Sequence, residues 1–190
     1  MPLHLALVHH PCVDRQGRTY TTALTNVDLH DIARSGRTYG VAALWIVTPI
    51  TLQQRMVHEV VRHWTEGEGA VRNDRRAQAM IRVDAADTIE AACQAITERD
   101  GQRPIVVVTS AQMPNADVSW ESMRLRLRDA DRPVLVVFGT GWGLAQSVLD
   151  HADLRLPAII ADPALTEDDY NHLSVRAAAA ITLDRLRGAR

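Results

Sequence analysis

Six short apolar runs punctuate the chain: 3–9 (LHLALVH), 41–48 (VAALWIVT), 80–85 (MIRVDA), 103–110 (RPIVVVTS), 132–139 (RPVLVVFG) and a weaker 153–158 (DLRLPA). Several are nearly continuous in Val, Ile and Leu instead of alternating with polar residues. That pattern predicts strands buried on both faces of a parallel sheet. Helical spacing fills the gaps. Thr51 with Gln54, and Asp87 with Glu90, stand at capping-box spacing, where each side chain satisfies a free backbone amide of the first turn. TNVDLHDIARSGRTYGV (25–41) predicts a helix that ends before Gly40. Ser119 or Asp117 is placed to start a helix carrying Met123 and Leu127. A last helix is expected from near Asn171, as N-cap, to about Leu186. Residues 65–75 (TEGEGAVRNDR) read as a mobile surface loop. Alternation of strand and helix predicts an α/β fold. No repeat, low-complexity tract or linker divides the chain, so residues 1–190 are expected to form one domain.

Composition adjusts this picture in a few places. Aromatic residues make up only 4% of the sequence, so the core must be aliphatic and alanine-rich. A net charge of −2 gives no general attraction to nucleic acid or membrane. All 21 basic residues, however, are Arg. Guanidinium groups suit phosphate and base contacts, which leaves a local RNA-binding face open. Cys12 and Cys93 are far apart and lack CxxC spacing, the expectation for free thiols in a reducing, cytoplasmic compartment. No stretch approaches the length of a membrane span. The start, MPLHLALVHHPC, has too short an apolar run and no basic region for a signal peptide.

The chemistry-bearing segments allow more than one reading. Gly139, Gly141 and Gly143 alternate at the end of an apolar run. They fit a tight turn between strand and helix, or a backbone stripped of side chains so that a flat or bulky ligand can lie against it. The dinucleotide fingerprint G-x-G-x-x-G belongs in a first βα turn, so its placement here disfavours a nucleotide-dependent oxidoreductase. In 25–41, Asn26, Asp28, His30, Asp31, Arg34 and Arg37 are either a solvated helix face with Asp31–Arg34 and His30–Arg34 pairs or a functional cluster. Thr109 and Ser110 end a strand, where their hydroxyls face a ligand or cap a turn. Ala177–Ala180 permits close approach of another backbone. His9, His10 and Cys12 match no zinc spacing; they read as a turn after the first strand, and no metal is expected.

Three blocks in order, TxxDxHDIARSxRTYG at 25–40, FGTGWGL at 138–144 and YNHLSVRxAxAI at 170–181, make the whole chain resemble the SPOUT superfamily of S-adenosylmethionine-dependent RNA methyltransferases. The resemblance implies a mostly parallel sheet with flanking helices and a C-terminal deep trefoil knot. It further implies a homodimer in the cytoplasm, with S-adenosyl-L-methionine bound in the knot near the subunit interface, acting on tRNA or rRNA and not on DNA or a membrane. Its cofactor loops map onto Thr109 and Ser110, onto Phe138, Gly139, Thr140, Gly141, Gly143 and Leu144, and onto Leu156 with Asn171, His172, Leu173 and Ser174. Arg34 takes the position of the family's functional arginine. Asp28 and His30 follow as a general base or as an orienter of that arginine. Many ribose-methylating members carry Asn-x5-Arg-x5-Gly in the first block. Here Arg34-x5-Gly40 is kept, but Asp28 replaces the Asn, and Trp142 stands near the usual Glu of the glycine loop. Ribose and base methylation are therefore both open, as is a SPOUT protein that binds adenosylmethionine or RNA without transferring a methyl group.

Overall fold

The computed structural model describes residues 2–189 except 114, 130, 167 and 169. Its strands are β1 (Leu3–Val8), β2 (Cys12–Val13), β3 (Thr19–Tyr20), β4 (Ala43–Val47), β5 (Val83–Ala86), β6 (Ile105–Val108), β7 (Val134–Gly139) and β8 (Leu154–Arg155). Six of them form one parallel sheet in the order β5-β4-β1-β7-β6-β8, while β2 and β3 pair as a small antiparallel hairpin. Each of the six apolar runs read from the sequence falls on one strand of the sheet, β5 extending one residue past the run at 80–85. Strand β1 is central and fully buried, with His4 opposite Ala43 on one side and Leu135 on the other.

The helices are α1 (Asn26–Thr38), α2 (Thr51–Thr65), α3 (Glu68–Arg72), α4 (Asp74–Met80), α5 (Ile89–Asp100), α6 (Trp120–Asp129), α7 (Gln146–Asp150) and α8 (Val175–Arg187). Alternate strand residues feed two different cores. Leu3, Leu5, Leu7 and Val136 point to the side covered by α1, α2, α4, α6 and α8. Ala6, Val8, Leu135 and Val137 point to the side covered by α5 and α7. Both cores are aliphatic, as the scarcity of aromatic residues requires. No helix among the described residues is long and apolar enough to cross a membrane.

Several helix starts differ from the sequence expectation, each for a physical reason. Helix α2 has Ile50 at its N-cap and no side-chain cap; Gln54 instead donates to the Thr48 carbonyl at 2.7 Å and to the Asp87 carboxylate. With Asp87 engaged there, Thr88 caps α5, its hydroxyl accepting from the Ala91 amide at 3.0 Å. Of the two candidates before α6, Ser119 accepts from the Ser122 amide, while Asp117 accepts from the Arg155 amide beside the sheet. Helix α8 starts at Val175 with Ser174 as its cap, not near Asn171, whose side-chain amide donates to the Ala111 carbonyl at 3.1 Å. The supposed loop at 65–75 is mostly helical. Gly69 lies so close under Trp64 that a Cβ there would stand 2.7 Å from the ring, and Asn73 caps α4.

Helices α1 and α8 lie side by side and run the same way. Arg176 in the first turn of α8 reaches Asp28 in the first turn of α1, and Arg187 at the far end donates to the carbonyls of Tyr39 and Gly40. The carboxyl edge of the sheet thus gathers the start of both helices and the loops that follow β1, β6 and β7.

Candidate functional site

Open parallel sheets hold ligands at the carboxyl ends of their strands, and the singled-out loops converge there. The glycine loop after β7 folds back at once. A Cβ on Gly139 would stand 2.7 Å from the Leu144 amide nitrogen and 2.9 Å from the Gly143 carbonyl carbon. Gly141 has φ +63°, and a Cβ there would stand 2.1 Å from the Tyr20 hydroxyl on the β2–β3 hairpin. Gly143 has φ +113° and faces open space. The three glycines therefore meet different demands, and a surface cleared for a ligand is confined to Gly143. At the other two positions the chain's own atoms occupy the room.

The rest of the loop is tied down. Thr140 donates to the Val8 carbonyl at 2.9 Å and shares a hydrogen bond with Thr22, while the Val13 amide donates to the Gly143 carbonyl at 3.0 Å. Phe138 and Leu144 are buried, and Leu144 bridges to Cys12. Two further segments meet at the tip of β6. Thr109 turns its hydroxyl to the Val137 carbonyl at 3.0 Å, closing the edge of the sheet, and Ser110 accepts from the Gln112 amide. Leu156 is fully buried, with its amide on the Val108 carbonyl at 3.0 Å. Asn171 joins the same tip through Ala111, while His172, Leu173 and Ser174 are exposed, His172 lying edge-on to Tyr170.

The three polar candidates on α1 are separated. Asp28 is nearly buried and already doubly bonded, accepting from Arg176 at 2.8 Å and from the Thr25 hydroxyl at 2.6 Å. His30 faces the other way, edge-on to Trp64 at 5.7 Å. Burial, followed by the nearby Arg76 guanidinium, pushes its pKa below the ordinary histidine value, so it is neutral at neutral pH. Arg34 alone is free to work on a ligand. It is 59% exposed, holds Asp31 only at 3.9 Å, and borders a groove of about 520 Å³ between α1 and α8, floored by Ala177 and Ala180. His30 and Arg34 do not form the pair that their i,i+4 spacing offered.

Sequence reasoning missed Arg176, Tyr20 and Thr22, and read His9 only as part of the turn after the first strand. Arg176 lies inside the YNHLSVR block, and its Nε also approaches Asp31 at 3.7 Å. His9 is 1% exposed, bonded through Nδ1 to Thr22 at 2.7 Å, with no partner for Nε2 among the described residues. Burial drives its pKa down to about 4, against the opposing pull of Asp28. His10 bonds to Thr21, and the buried Cys12 thiol donates to the Val8 carbonyl at 3.2 Å. The three therefore turn to different partners in the turn after β1.

A parallel α/β sheet with three loops converging on the ends of β6 and β7 defines the class of protein. Residues 2–188 match the model of the SAM-dependent RNA methyltransferase family, and the chain belongs to that family. It is 46% identical over 98% of its length to a tRNA (guanine-N(1)-)-methyltransferase of Nitratidesulfovibrio vulgaris, but spans only 42% of that relative. Its fold matches the crystal structure of a probable methyltransferase from Bordetella pertussis, with TM-score 0.61 and 19% identity over 97% of this chain and 92% of that one. It also matches the SpoU methyltransferase AviRb from Streptomyces viridochromogenes, solved with AdoMet, with TM-score 0.55 and 15% identity over 97% of this chain and 56% of that one.

Proposed function

We propose that this chain transfers a methyl group from S-adenosylmethionine to a tRNA or rRNA, as a cytoplasmic homodimer whose C-terminal segment is threaded into a trefoil knot. The observation that carries the reading is the convergence of three sequence-distant sets of residues around the ends of β6 and β7: 109–111, Gly139, Thr140, Gly141, Gly143 and Leu144, and Leu156 with Asn171. These are the segments the family resemblance assigns to the cofactor. Support for threading comes from three observations: α7 lies on one face of the sheet, α8 lies on the other, and Leu156 and Asn171, which stand between them in sequence, both bond at the tip of β6. More than half of the Nitratidesulfovibrio relative lies outside the shared part, so the position named there, guanine N1, is not carried over.

The residues present fit the cofactor. Gly143 offers an open backbone face, and Ile160 and Leu173 expose apolar surface on the third loop, of the kind a flat nucleoside covers. When bound, adenosylmethionine supplies an already activated methyl group. The chain's task is alignment and charge control. Arg34 is placed to clamp a phosphate or to stabilise charge developing at the acceptor. Asp28 acts by position: with Arg176 it locks α1 to α8 and so sets where Arg34 stands. The same two helices, with small residues between them, are proposed as the two-fold interface.

A second reading, binding without transfer, draws on the engagement of Asp28 by Arg176 and Thr25, which leaves α1 without an uncommitted carboxylate in its first turn. One experiment separates the two. The protein is incubated with methyl-labelled adenosylmethionine and total bacterial RNA, with calorimetry run alongside and affinity expected to be roughly micromolar, about −8 kcal/mol. Label in RNA supports transfer. Cofactor binding without label supports the binder, and no cofactor binding refutes both. Light scattering that reports a monomer at tens of micromolar would refute the dimer.

A further inference from the structure

Trp142 stands out within the glycine loop because its indole is 65% exposed, although the loop that carries it is held firmly. Its amide donates to the Val13 carbonyl at 3.2 Å, and the Val13 amide donates to the neighbouring Gly143 carbonyl at 3.0 Å. Glycines with φ +63° and φ +113° flank it, so the backbone turns sharply on both sides and presents the ring outward. The core has no need of this ring: Leu144, two residues on, supplies the buried contact. A guanidinium sits above it. Arg15, at the turn of the β2–β3 hairpin, lies 5.9 Å from the ring centroid. The nearest carboxylate in sequence, Asp14, is taken by Arg18 at 2.8 Å, and no carboxylate lies within 4.0 Å of Arg15 among the described residues.

An exposed indole on a rigid loop beside an uncompensated guanidinium has the two parts needed to hold one nucleotide of a single strand. The ring offers a stacking face that accepts any base, and the cation meets the adjacent phosphate. Because the chain as a whole is slightly acidic, this attraction is local and adds placement more than general affinity. We infer that Trp142 and Arg15 form a stacking contact for one unpaired nucleobase of the RNA. The inference rests on the proposal that the chain acts on RNA, and it adds which strand state is recognised and by what.

The test measures binding of a short, labelled, single-stranded RNA of mixed sequence, and of the same sequence as a duplex, by fluorescence anisotropy. Trp142→Ala should weaken the single strand about tenfold or more, the equivalent of ~1.4 kcal/mol. Trp142→Phe, which keeps a ring, should stay within about threefold of the parent. Duplex affinity should change less than twofold. Arg15→Ala, which leaves the loop intact, should weaken the single strand and lower the slope of log affinity against log salt by about one phosphate contact. Calorimetry with adenosylmethionine should be unaltered in all three variants. Unchanged single-strand affinity in Trp142→Ala overturns the contact, as does equal loss on duplex, or loss of cofactor affinity with RNA binding intact. Methyl transfer is read separately. A parent protein that binds the strand through Trp142 yet transfers no label keeps this contact and refutes transfer; one that transfers label while Trp142→Ala binds normally does the reverse.

Discussion

Replacing Gly141 with Ala tests the close fit between the glycine loop and the hairpin. At φ +63° an alanine sits in the left-handed region at a cost of about 1–2 kcal/mol. Its Cβ would also stand 2.1 Å from the Tyr20 hydroxyl oxygen, more than an ångström inside ordinary contact. The Tyr20 ring is restrained by being half-buried against the core on the α5 side, and its strand partner Cys12 bridges to Leu144 of the same glycine loop. Forced overpacking of this kind adds about 1–3 kcal/mol, so Gly141→Ala should destabilise by roughly 2–5 kcal/mol in all. Removing the offending atom should recover part of that. In a Tyr20→Phe background the nearest ring atom is Cζ at 3.1 Å, a tight but adjustable approach. Urea unfolding of the parent, both single variants and the double variant closes the cycle. The double variant should be at least about 1 kcal/mol more stable than the sum of the singles predicts. Gly143→Ala serves as the contrast: φ +113° makes it strained, but with nothing within 4 Å it should show no coupling to Tyr20→Phe. Coupling between Gly141→Ala and Tyr20→Phe below about 0.3 kcal/mol, the level of independent sites, would refute the fit.

Three further outcomes follow from the same geometry. Arg34→Ala should lower methyl transfer by about 10²–10³ while leaving the urea midpoint unchanged, since Arg34 is mostly exposed and holds Asp31 only at 3.9 Å; a variant that unfolds would make Arg34 structural. Arg176→Ala should destabilise by about 2 kcal/mol because it strands the nearly buried Asp28, and a ΔΔG under about 0.5 kcal/mol would show the α1–α8 clamp to be idle. His9 binds a proton less readily when folded, with a pKa of about 4 against 6.5 unfolded. Its contribution is therefore intact above pH 6.5 and lost as pH falls toward about 4, on the order of 3 kcal/mol. Stability measured across that window should decline less steeply in His9→Gln, and identical slopes would exclude His9 as a source.

Much of the architecture was legible because it rests on local signals. The continuous Val, Ile and Leu runs favoured strands buried on both faces, and the helix read before Gly40 stands as α1, with Thr25 as the cap the sequence reading did not name. The misplaced caps share a cause. Asp87 and Gln54 were read within their own helices, but each bonds to the other across the fold, and Thr88 takes over the cap. The site was legible only as a set of loops. That Gly141 meets Tyr20, and that Asp28 is claimed by Arg176 from the far end of the chain, are long-range juxtapositions with no periodic trace in the sequence. Arg176 had one available signal, its place in the YNHLSVR block, where the eye goes first to the Asn, His and Ser.

The central position of β1 has a consequence for how the protein is made. On one side β1 pairs with β4, which follows it closely; on the other it pairs with β7, at residues 134–139. At roughly 5–20 residues per second, ribosomal synthesis leaves that second edge waiting on the order of 10 s. During this interval β5, β4 and β1 have all been made but the β7 edge of β1 has no partner, so any early pairing of the three leaves the apolar strand LHLALV as its open border, a template for pairing with another nascent chain. The seam that closes when β7 docks, β1 against β7, is the one Thr140 crosses to reach Val8 and on whose rim His9 and the glycine loop stand. Ligand competence therefore comes no earlier than this docking, and a ligand that binds this rim acts as a clasp on the two halves of the sheet.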